Sequence, residues 1–188
     1  MTYAASEEAL GEARGDPGHV LVRTDIADAA ALREVFATHH PDAVMHLAAE
    51  NHVDRSIDAP GAFTQTNVVG TFVLLEEARH YWASLPPAAR SAFRFHHVST
   101  DEVFRALEAG DPAFNEDTRY DPRSPYAASK AASDHLVRAW FHTYGLPVIV
   151  SNTTNNYGLW QFPEKLIPLV TLNALEGKSP ALCSFRHR

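Results

Sequence analysis

Short apolar runs alternate with longer helical patterns along this chain, and this alternation limits its fold more than any other feature. Residues 43–49 form a near-continuous apolar run, as in a strand buried within a parallel sheet. Similar runs predict three further strands, at 19–26, 93–99 and 146–151. Apolar periodicity predicts the helices, at 29–39, 61–84, 125–144 and 162–176. Strands joined by single helices form right-handed βαβ units, so the sequence predicts an α/β fold with a doubly wound, Rossmann-like parallel sheet.

Length and composition suit one such domain and little more. The chain has 188 residues, of which 45% are hydrophobic and 21% charged, and it contains no internal repeat. The last helical pattern stops at Gly177, and periodicity is lost beyond it. We therefore expect one partial Rossmann-like domain over residues 1–177, with an incomplete layer of structure, followed by an irregular tail at 178–188.

Charge and residue usage disfavour several partners. The formal net charge is −7 and no basic run occurs, which argues against nucleic acid. No apolar run could span a bilayer and no signal peptide is recognisable, so no membrane is expected.

Cys183 is the only cysteine, which leaves no thiolate metal site and favours a cytoplasmic location. The adjacent histidine pairs at 39–40 and 96–97 would point to opposite faces of a strand, so no metal is expected.

The segment from Ser124 to Gly145 has the clearest local signals. Ser124 is predicted to cap a helix whose first residue is Pro125, and Gly145 to end it. Tyr126 and Lys130 are four residues apart and share one face of this helix, where an ammonium group can favour the phenolate. Such a tyrosine can take a proton from a sugar hydroxyl. The alternative is a solvated surface pair, which is common at this spacing.

Polar residues cluster where the predicted strands end. The groups are Asp25-Ile26, residues 48–50, Ser99 to Glu102, and residues 151–157. Ligands of such folds bind beyond the carboxyl ends of the strands, so these groups are candidates for one site. Simpler interpretations stay open. Asp25 could begin a turn, the asparagines at 155–156 could form a left-handed loop, and Thr100 could cap a helix through residue 109.

Several blocks of sequence carry a resemblance to a known family. They lie at 41–50, 52–57, 93–103, 124–130, 155–158 and 162–168. Together they resemble the extended short-chain dehydrogenase/reductase family and, within it, the dTDP-glucose 4,6-dehydratases. The Tyr-x-x-x-Lys pattern is common to the whole superfamily. The Thr-Asp-Glu trio at 100–102 is typical of the dehydratases, because epimerases of this fold usually have small or hydrophobic residues there.

The resemblance implies a role for each catalytic residue. Tyr126, held deprotonated by Lys130, would take the proton of the sugar 4-hydroxyl as a hydride passes from C4 to NAD, and Thr100 would bond the same oxygen. Glu102 would remove the C5 proton, and a protonated Asp101 would donate to the departing 6-hydroxyl. The hydride would return to C6. The implied cofactor is NAD and the implied substrate is a nucleotide sugar.

The resemblance also implies binding contacts and a partner. The cofactor contacts are Asp25, Ile26, Leu47, Ala48, Thr66, Tyr126, Lys130 and Asn156. The substrate contacts are Glu50, Thr100, Asn155, Lys165 and Leu166. Family members pair through two helices, so a homodimer through 61–84 and 125–144 is expected. The alternative is that these helices merely pack on the sheet.

The chain also departs from the family pattern. The family begins with a strand, a Gly-x-x-Gly-x-x-Gly turn and a pyrophosphate-binding helix, and ends in a substrate lobe; neither is matched here. We therefore expect the chain alone to bind NAD weakly and turn over little, or to be a catalytically silent remnant that at most dimerises. Phe104-Arg105 replaces a Tyr-Gly pair of the family. An epimerase is less expected because of Asp101 and Glu102.

Overall fold

A computed structural model describes residues 6–179 of the chain. The chain divides into two compact units, one of residues 22–154 and one of residues 1–21 with 155–188. Within residues 6–179, no helix is long and apolar enough to cross a membrane.

A parallel sheet of three strands forms the centre of the 22–154 unit. The strands are β1 (Ala43–His46), β2 (Arg94–Thr100) and β3 (Val148–Thr153), in the order β1-β2-β3. Residue His46 pairs with His97, and Val98 pairs with Ser151. Parallel pairing places the three carboxyl ends at one edge of the sheet. The predicted α/β fold with a parallel sheet is confirmed.

Helices pack against this sheet and bury the core. They are α1 (Ala29–His39), α2 (Val53–Asp58), α3 (Pro60–Phe63), α4 (Thr71–Ser84), α5 (Pro87–Ala92) and α6 (Pro125–Tyr144). The main cluster contains Leu32, Phe36, Leu74, Leu75, Ala78, Trp82, Phe93, Phe95, Val137 and Leu146. Burial of each large apolar side chain contributes about 1.5–3 kcal/mol. The carboxylate of Asp28 caps α1 by accepting from the amides of Ala30 and Ala31, as the sequence predicted.

The helix predicted at 61–84 exists, but it is not a regular α-helix throughout. Residues Thr64–Gly70 form a π-helical segment between α3 and α4. This wider turn changes which side chains face the core. Asn67 and Thr71 are buried, at 1% exposure each, whereas Phe72, an expected apolar position of the helix, is 44% exposed.

Other predicted boundaries need correction. The strand predicted at 19–26 does not form: among the described residues no strand pairs with it, so its backbone groups lack a ladder partner, and Val20, Leu21 and Val22 are exposed. β1 ends at His46 rather than at residue 49. α2 and α5 were not predicted from the sequence. Pro87 occupies the first helical position of α5, where proline is favoured.

The second unit contains two described elements. Residues Glu7–Gly15 form a 3₁₀ helix, close to the short helix expected at 6–14. α7 spans Leu166–Leu175, so the helix predicted from residue 162 begins four residues later. The preceding residues form a turn in which the Lys165 amide donates to the Phe162 carbonyl at 3.0 Å. The irregular tail expected at 178–188 lies outside the described residues from 180 onward.

Candidate active site

Tyr126 and Lys130 lie one turn apart near the start of α6, and both are buried. The Ser124 hydroxyl accepts a hydrogen bond from the Ala127 amide at 3.0 Å, and Pro125 takes the first helical position. These residues fix where the helix begins and therefore which side carries the phenol. Tyr126 is 8% exposed and Lys130 4% exposed. The alternative of a solvated surface pair is wrong.

The phenol of Tyr126 lies beside the polar trio that follows β2. The Thr100 hydroxyl lies near enough to this phenol to lower its pKa, and the charges of Glu102 and Asp101 act on it in the opposite direction. Burial, followed by the charge of Glu102, raises the pKa of Tyr126 to about 12, and the Thr100 hydrogen bond only partly opposes this rise. The structure therefore brings Tyr126 together with the three residues predicted from the neighbouring strand.

Lys130 makes a contact that the sequence did not predict. Its Nζ donates to the carbonyl of Val98 in β2 at 2.9 Å. Burial lowers the pKa of Lys130, and the charge of Asp134 partly offsets this effect. Burial has the largest effect on the pKa of the phenol and acts against its ionisation, so the role of Lys130 in holding Tyr126 deprotonated stays a prediction.

Two residues of the trio, Asp101 and Glu102, belong to a single 3₁₀ turn that spans Asp101–Val103. The Thr100 hydroxyl accepts from the amide of Glu102 at 3.2 Å, so Thr100 does cap this turn. The turn ends at Val103, however, and no helix continues through residue 109. Capping uses only the hydroxyl oxygen of Thr100, and it leaves the charges of the two carboxyl groups to act on Tyr126.

Asn67 connects the end of β1 to α6, and sequence reasoning missed it. Its side-chain oxygen accepts from the amide of Glu50 at 2.9 Å, and its amide nitrogen donates to the carbonyl of Glu50 at 3.0 Å. The same nitrogen donates to the Ser129 hydroxyl at 2.9 Å, which in turn donates to the Tyr126 carbonyl at 2.7 Å. The signal available was weak, because Asn67 ends a run of four polar residues that begins at Thr64.

The predicted cofactor residues at 47, 48 and 66 lie around this same connection. Leu47 and Ala48 directly follow β1, and Leu47 is 62% exposed. Thr66 lies in the π-helical segment, next to Asn67. Because β1 and β2 are parallel neighbours, residues 47 and 48 lie at the same edge of the sheet as the trio after Thr100.

Asp25 and Ile26 occupy a turn before α1. The carboxylate of Asp25 accepts from the Ala27 amide at 2.8 Å, so the turn interpretation of Asp25 is confirmed. Ile26 packs against Gly70 so closely that a Cβ there would lie 2.6 Å from the Ile26 Cδ1 atom. Ile26, the predicted adenine contact, is thereby fixed against the π-helical segment that carries Thr66.

The remaining predicted residues belong to the second unit. The carbonyl of Asn156 accepts from the Gln161 side chain at 3.0 Å. Trp160 is the residue of this loop with left-handed backbone (φ 65°), rather than either asparagine. Lys165 precedes α7, and Leu166 begins it with 65% exposure. The assignments of Asn155, Asn156, Lys165 and Leu166 to cofactor or substrate stay predictions. Among residues 6–179, no group of histidine, cysteine and carboxylate side chains is arranged to hold a metal ion.

Comparison with known proteins gives a consistent result. The family model described as GDP-mannose 4,6 dehydratase matches residues 2–185. The chain is 58% identical over 187 residues to dTDP-glucose 4,6-dehydratase 1 of Escherichia coli K12, and 60% identical over 178 residues to the dTDP-glucose 4,6-dehydratase of Neisseria meningitidis serogroup B. These matches cover 95% of this chain but 52% and 50% of the relatives. The chain thus spans about half the length of the curated relatives it matches.

Solved structures agree with this match. DesIV, a dTDP-glucose 4,6-dehydratase from Streptomyces venezuelae solved with NAD bound, is 43% identical, with a TM-score of 0.83 over 94% of this chain and 51% of that chain. The dTDP-glucose 4,6-dehydratase of Bacillus anthracis in complex with NAD is 37% identical, with a TM-score of 0.81 over 96% and 52% of the two chains. The three-stranded sheet therefore corresponds to part of these folds.

Proposed function

Because this chain belongs to the GDP-mannose 4,6-dehydratase family, we propose that it carries the acid–base residues of a dTDP-glucose 4,6-dehydratase. The observation that supports this most is the arrangement around Tyr126. Its buried phenol lies near Thr100 and within the influence of the Glu102 and Asp101 charges. Removal of water from a sugar after oxidation of a neighbouring carbon requires several proton transfers, which side chains of these types can make.

Tyr126 acts first in the proposed reaction. In its phenolate form it takes the proton of the sugar 4-hydroxyl, and the Thr100 hydroxyl favours this form because a hydrogen bond to the charged form lowers the pKa of that group. Lys130, fixed to the Val98 carbonyl, supplies a positive charge within the same helix turn. The sheet and α6 hold these groups before the sugar arrives, which avoids the cost of arranging them during the reaction.

The two carboxyl groups act in the elimination. A keto group at C4 makes the C5 proton acidic, and Glu102 removes it as the general base. Asp101, in its protonated form, donates to the 6-hydroxyl as water leaves. Two neighbouring carboxyl groups can hold opposite protonation states when their environments push their pKa values apart.

The described residues also fit NAD as the cofactor. A buried phenol and a buried ammonium lie beside the carboxyl edge of the sheet, where the exposed Leu47 and the fixed Ile26 offer apolar contacts. When bound, NAD supplies reversible storage of the electrons removed at C4. Asp25 and Ala48 are sequence neighbours of those contacts, and Thr66 lies in the π-helical segment whose Gly70 meets Ile26. We assign these three residues to the cofactor with Asn156. Glu50, Asn155, Lys165 and Leu166 are assigned to the nucleotide sugar.

The test is single-turnover dehydration by the purified chain. A large excess of chain is mixed with dTDP-glucose and NAD, and the 4-keto-6-deoxy product is measured by mass spectrometry. Because the chain alone is expected to bind NAD weakly, we expect a small amount of product from the wild-type chain and none from Tyr126→Phe, which removes only the phenolic oxygen. Glu102→Gln should block elimination while still allowing hydride transfer from C4 to NAD, seen as NADH absorbance. No product from a folded wild-type chain, or equal product from Tyr126→Phe, would contradict the proposal.

We further propose a homodimer through the helices at 61–84 and 125–144. Supporting this are three neighbouring aromatic rings on α4 and α6, which form an aromatic surface of Phe72, Trp140 and Tyr144. The ring centroids of Phe72 and Trp140 are 5.9 Å apart, and those of Trp140 and Tyr144 are 5.6 Å apart. Phe72 and Tyr144 are 44% and 47% exposed. Exposed apolar patches of this type mark interaction sites.

Sedimentation of the purified chain tests the dimer. We expect the wild type to sediment as a dimer and Phe72→Glu as a monomer, because the substitution places two carboxylates at the contact. Leu107→Glu is the matched control, since Leu107 is similarly exposed, at 46%, but lies in a different segment. A monomeric wild type would contradict this proposal and leave the catalytic one unaffected.

We also propose a cytoplasmic location. The presence of a single cysteine, Cys183, suits a reducing compartment. Fractionation of cells that produce the tagged full-length protein tests this, and recovery in a periplasmic or extracellular fraction would contradict it.

A further inference from the structure

The carboxylate of Asp134 lies in a buried hydrogen-bond network that the proposed chemistry does not use. Asp134 belongs to α6, one turn beyond Lys130, and is 0% exposed. Its Oδ1 accepts from Nε2 of His97 at 3.1 Å. Its Oδ2 accepts three hydrogen bonds, from the Ser99 hydroxyl at 2.8 Å, the Tyr120 hydroxyl at 2.9 Å and the Asn152 amide at 3.3 Å.

These partners keep Asp134 ionised in the core. Burial alone would raise the pKa of Asp134, but the hydrogen bonds from His97, Ser99 and Tyr120 outweigh burial and hold that pKa below its usual value. A buried charged pair is weak evidence for stability, because well-packed apolar residues often serve as well. A fully satisfied polar network does, however, fix the relative positions of the elements it joins.

The elements joined here are those that carry the catalytic residues. Ser99 directly precedes Thr100 in β2, and the Asn152 amide that reaches Asp134 also donates to the Thr100 carbonyl at 3.1 Å. The Thr153 hydroxyl donates to the Ser99 carbonyl at 3.1 Å. A single carboxylate in α6 is therefore connected, through β2 and β3, to both sides of Thr100.

Tyr120 adds a third element to the network. It lies on the segment between the trio and α6, and its ring packs against Phe104 with centroids 5.2 Å apart. Phe104 also stacks near Phe114, at 4.8 Å, and both rings adjoin the buried Val103 that ends the trio's turn. The position of this segment thus depends on the same carboxylate.

We propose that Asp134 is a positioning residue, which fixes Thr100 against Tyr126 by joining β2, β3 and the Tyr120 segment to the helix that carries the phenol. This inference rests on the proposed function, because it matters for chemistry only if Thr100 and Tyr126 act on one substrate oxygen. Asp134 itself touches neither of the reacting groups.

The directions of the hydrogen bonds in this network make asparagine a conservative replacement for Asp134. The Ser133 hydroxyl donates to the Lys130 carbonyl, so it can accept from Nε2 of His97 together with Asp134. His97 then carries its proton on Nε2, and its Nδ1 is buried without a hydrogen-bond partner. In Asp134→Asn, the amide oxygen can accept from Ser99 and Tyr120, and the amide nitrogen can donate to a His97 whose proton has moved to Nδ1.

The test is nuclear magnetic resonance of the purified chain with labelled threonine methyl groups, tyrosine rings and histidine rings. The cross-peak between the Thr100 methyl group and the Tyr126 ring is the signature, identified by its loss in Thr100→Ser. We expect Asp134→Ala to lose this cross-peak. Asp134→Asn should keep it, while the His97 nitrogen shifts report the other tautomer. Val137→Ala is the matched control, because Val137 is also fully buried in α6 but lies outside the network, and it should keep the cross-peak.

A cross-peak of wild-type intensity in Asp134→Ala, or its equal loss in Val137→Ala, would overturn the proposal. If Asp134→Ala does not fold, Ser99→Ala decides, since it removes one hydroxyl donor and leaves the carboxylate in place. We expect it to weaken the cross-peak, and unchanged intensity would overturn the proposal. The measurement needs neither NAD nor sugar, so failure of the dehydration assay cannot produce these outcomes.

Discussion

Replacement of Asn67 by alanine tests the connection between the end of β1 and α6. The substitution removes three hydrogen bonds, two to the backbone of Glu50 and one to the hydroxyl of Ser129. Each is worth about 1 kcal/mol net, and the Glu50 backbone groups left without partners add to the cost. We expect the free energy of unfolding to fall by about 3 kcal/mol, a large part of the ~5–15 kcal/mol typical of a domain.

Urea unfolding followed by circular dichroism measures this change. With a slope of about 2 kcal/mol per molar urea, the midpoint should fall by roughly 1.5 M. Thr64→Ala is the control within the same π-helical segment. Its exposed hydroxyl donates only to the Pro60 carbonyl at 3.3 Å, and we expect a change within about 0.5 kcal/mol. A loss below about 1 kcal/mol for Asn67→Ala would refute the reasoning.

Two further predictions concern buried residues of the same unit. Burial, with the charges of His97 and Lys130, lowers the pKa of His46 to about 3, from about 6.5 for an exposed histidine. The unfolded chain therefore binds a proton that the folded chain does not, so stability is lost as pH falls from about 6.5 towards 3, at up to about 1.4 kcal/mol per pH unit. Unfolding measured against pH should show a shallower slope for His46→Phe, and equal slopes would contradict this assignment. Gly70→Ala should destabilise the chain by about 1–3 kcal/mol, because its Cβ would meet Ile26, whereas Gly61→Ala, with nothing within 4 Å, should not. Thermal unfolding compares the two, and an equally stable Gly70→Ala would contradict the close contact.

Local signals made α6 predictable from end to end. Ser124 and Pro125 define its start, and Gly145 ends it with left-handed backbone (φ 75°). The segment at 19–26 contains a short apolar run but forms no strand. A strand needs a neighbouring strand for its backbone hydrogen bonds, and the sequence of the segment alone does not specify that neighbour. Two buried polar positions of the 61–84 helix were not predicted, for a related reason. Regular periodicity favours apolar positions, whereas hydrogen bonds to distant residues place Asn67 and Thr71 inside.

The predicted catalytic residues lie close together because their positions follow from the topology of the sheet. Parallel strands end at one edge, so residues after β2 and at the start of α6 can meet. The rise in the pKa of Tyr126 could not be predicted in the same way, since it depends on burial and on the charge of Glu102. Asn67 and Asp134 were missed because polar residues in a helical pattern are usually interpreted as solvent-exposed.

The wide turn at Thr64–Gly70 has a consequence for sequence change. Deletion of one residue there, for example Val68 or Val69, would let the chain wind as an ordinary α-helix and so improve its local geometry. The same deletion would rotate Thr66 and Asn67 away from their neighbours by about 100°, because that is the angle by which each α-helical residue advances. Evolution of this segment is thus constrained by residue number as well as by residue type at Asn67 and Gly70, and a mutation that lengthens or shortens it by one position is more damaging than most substitutions within it.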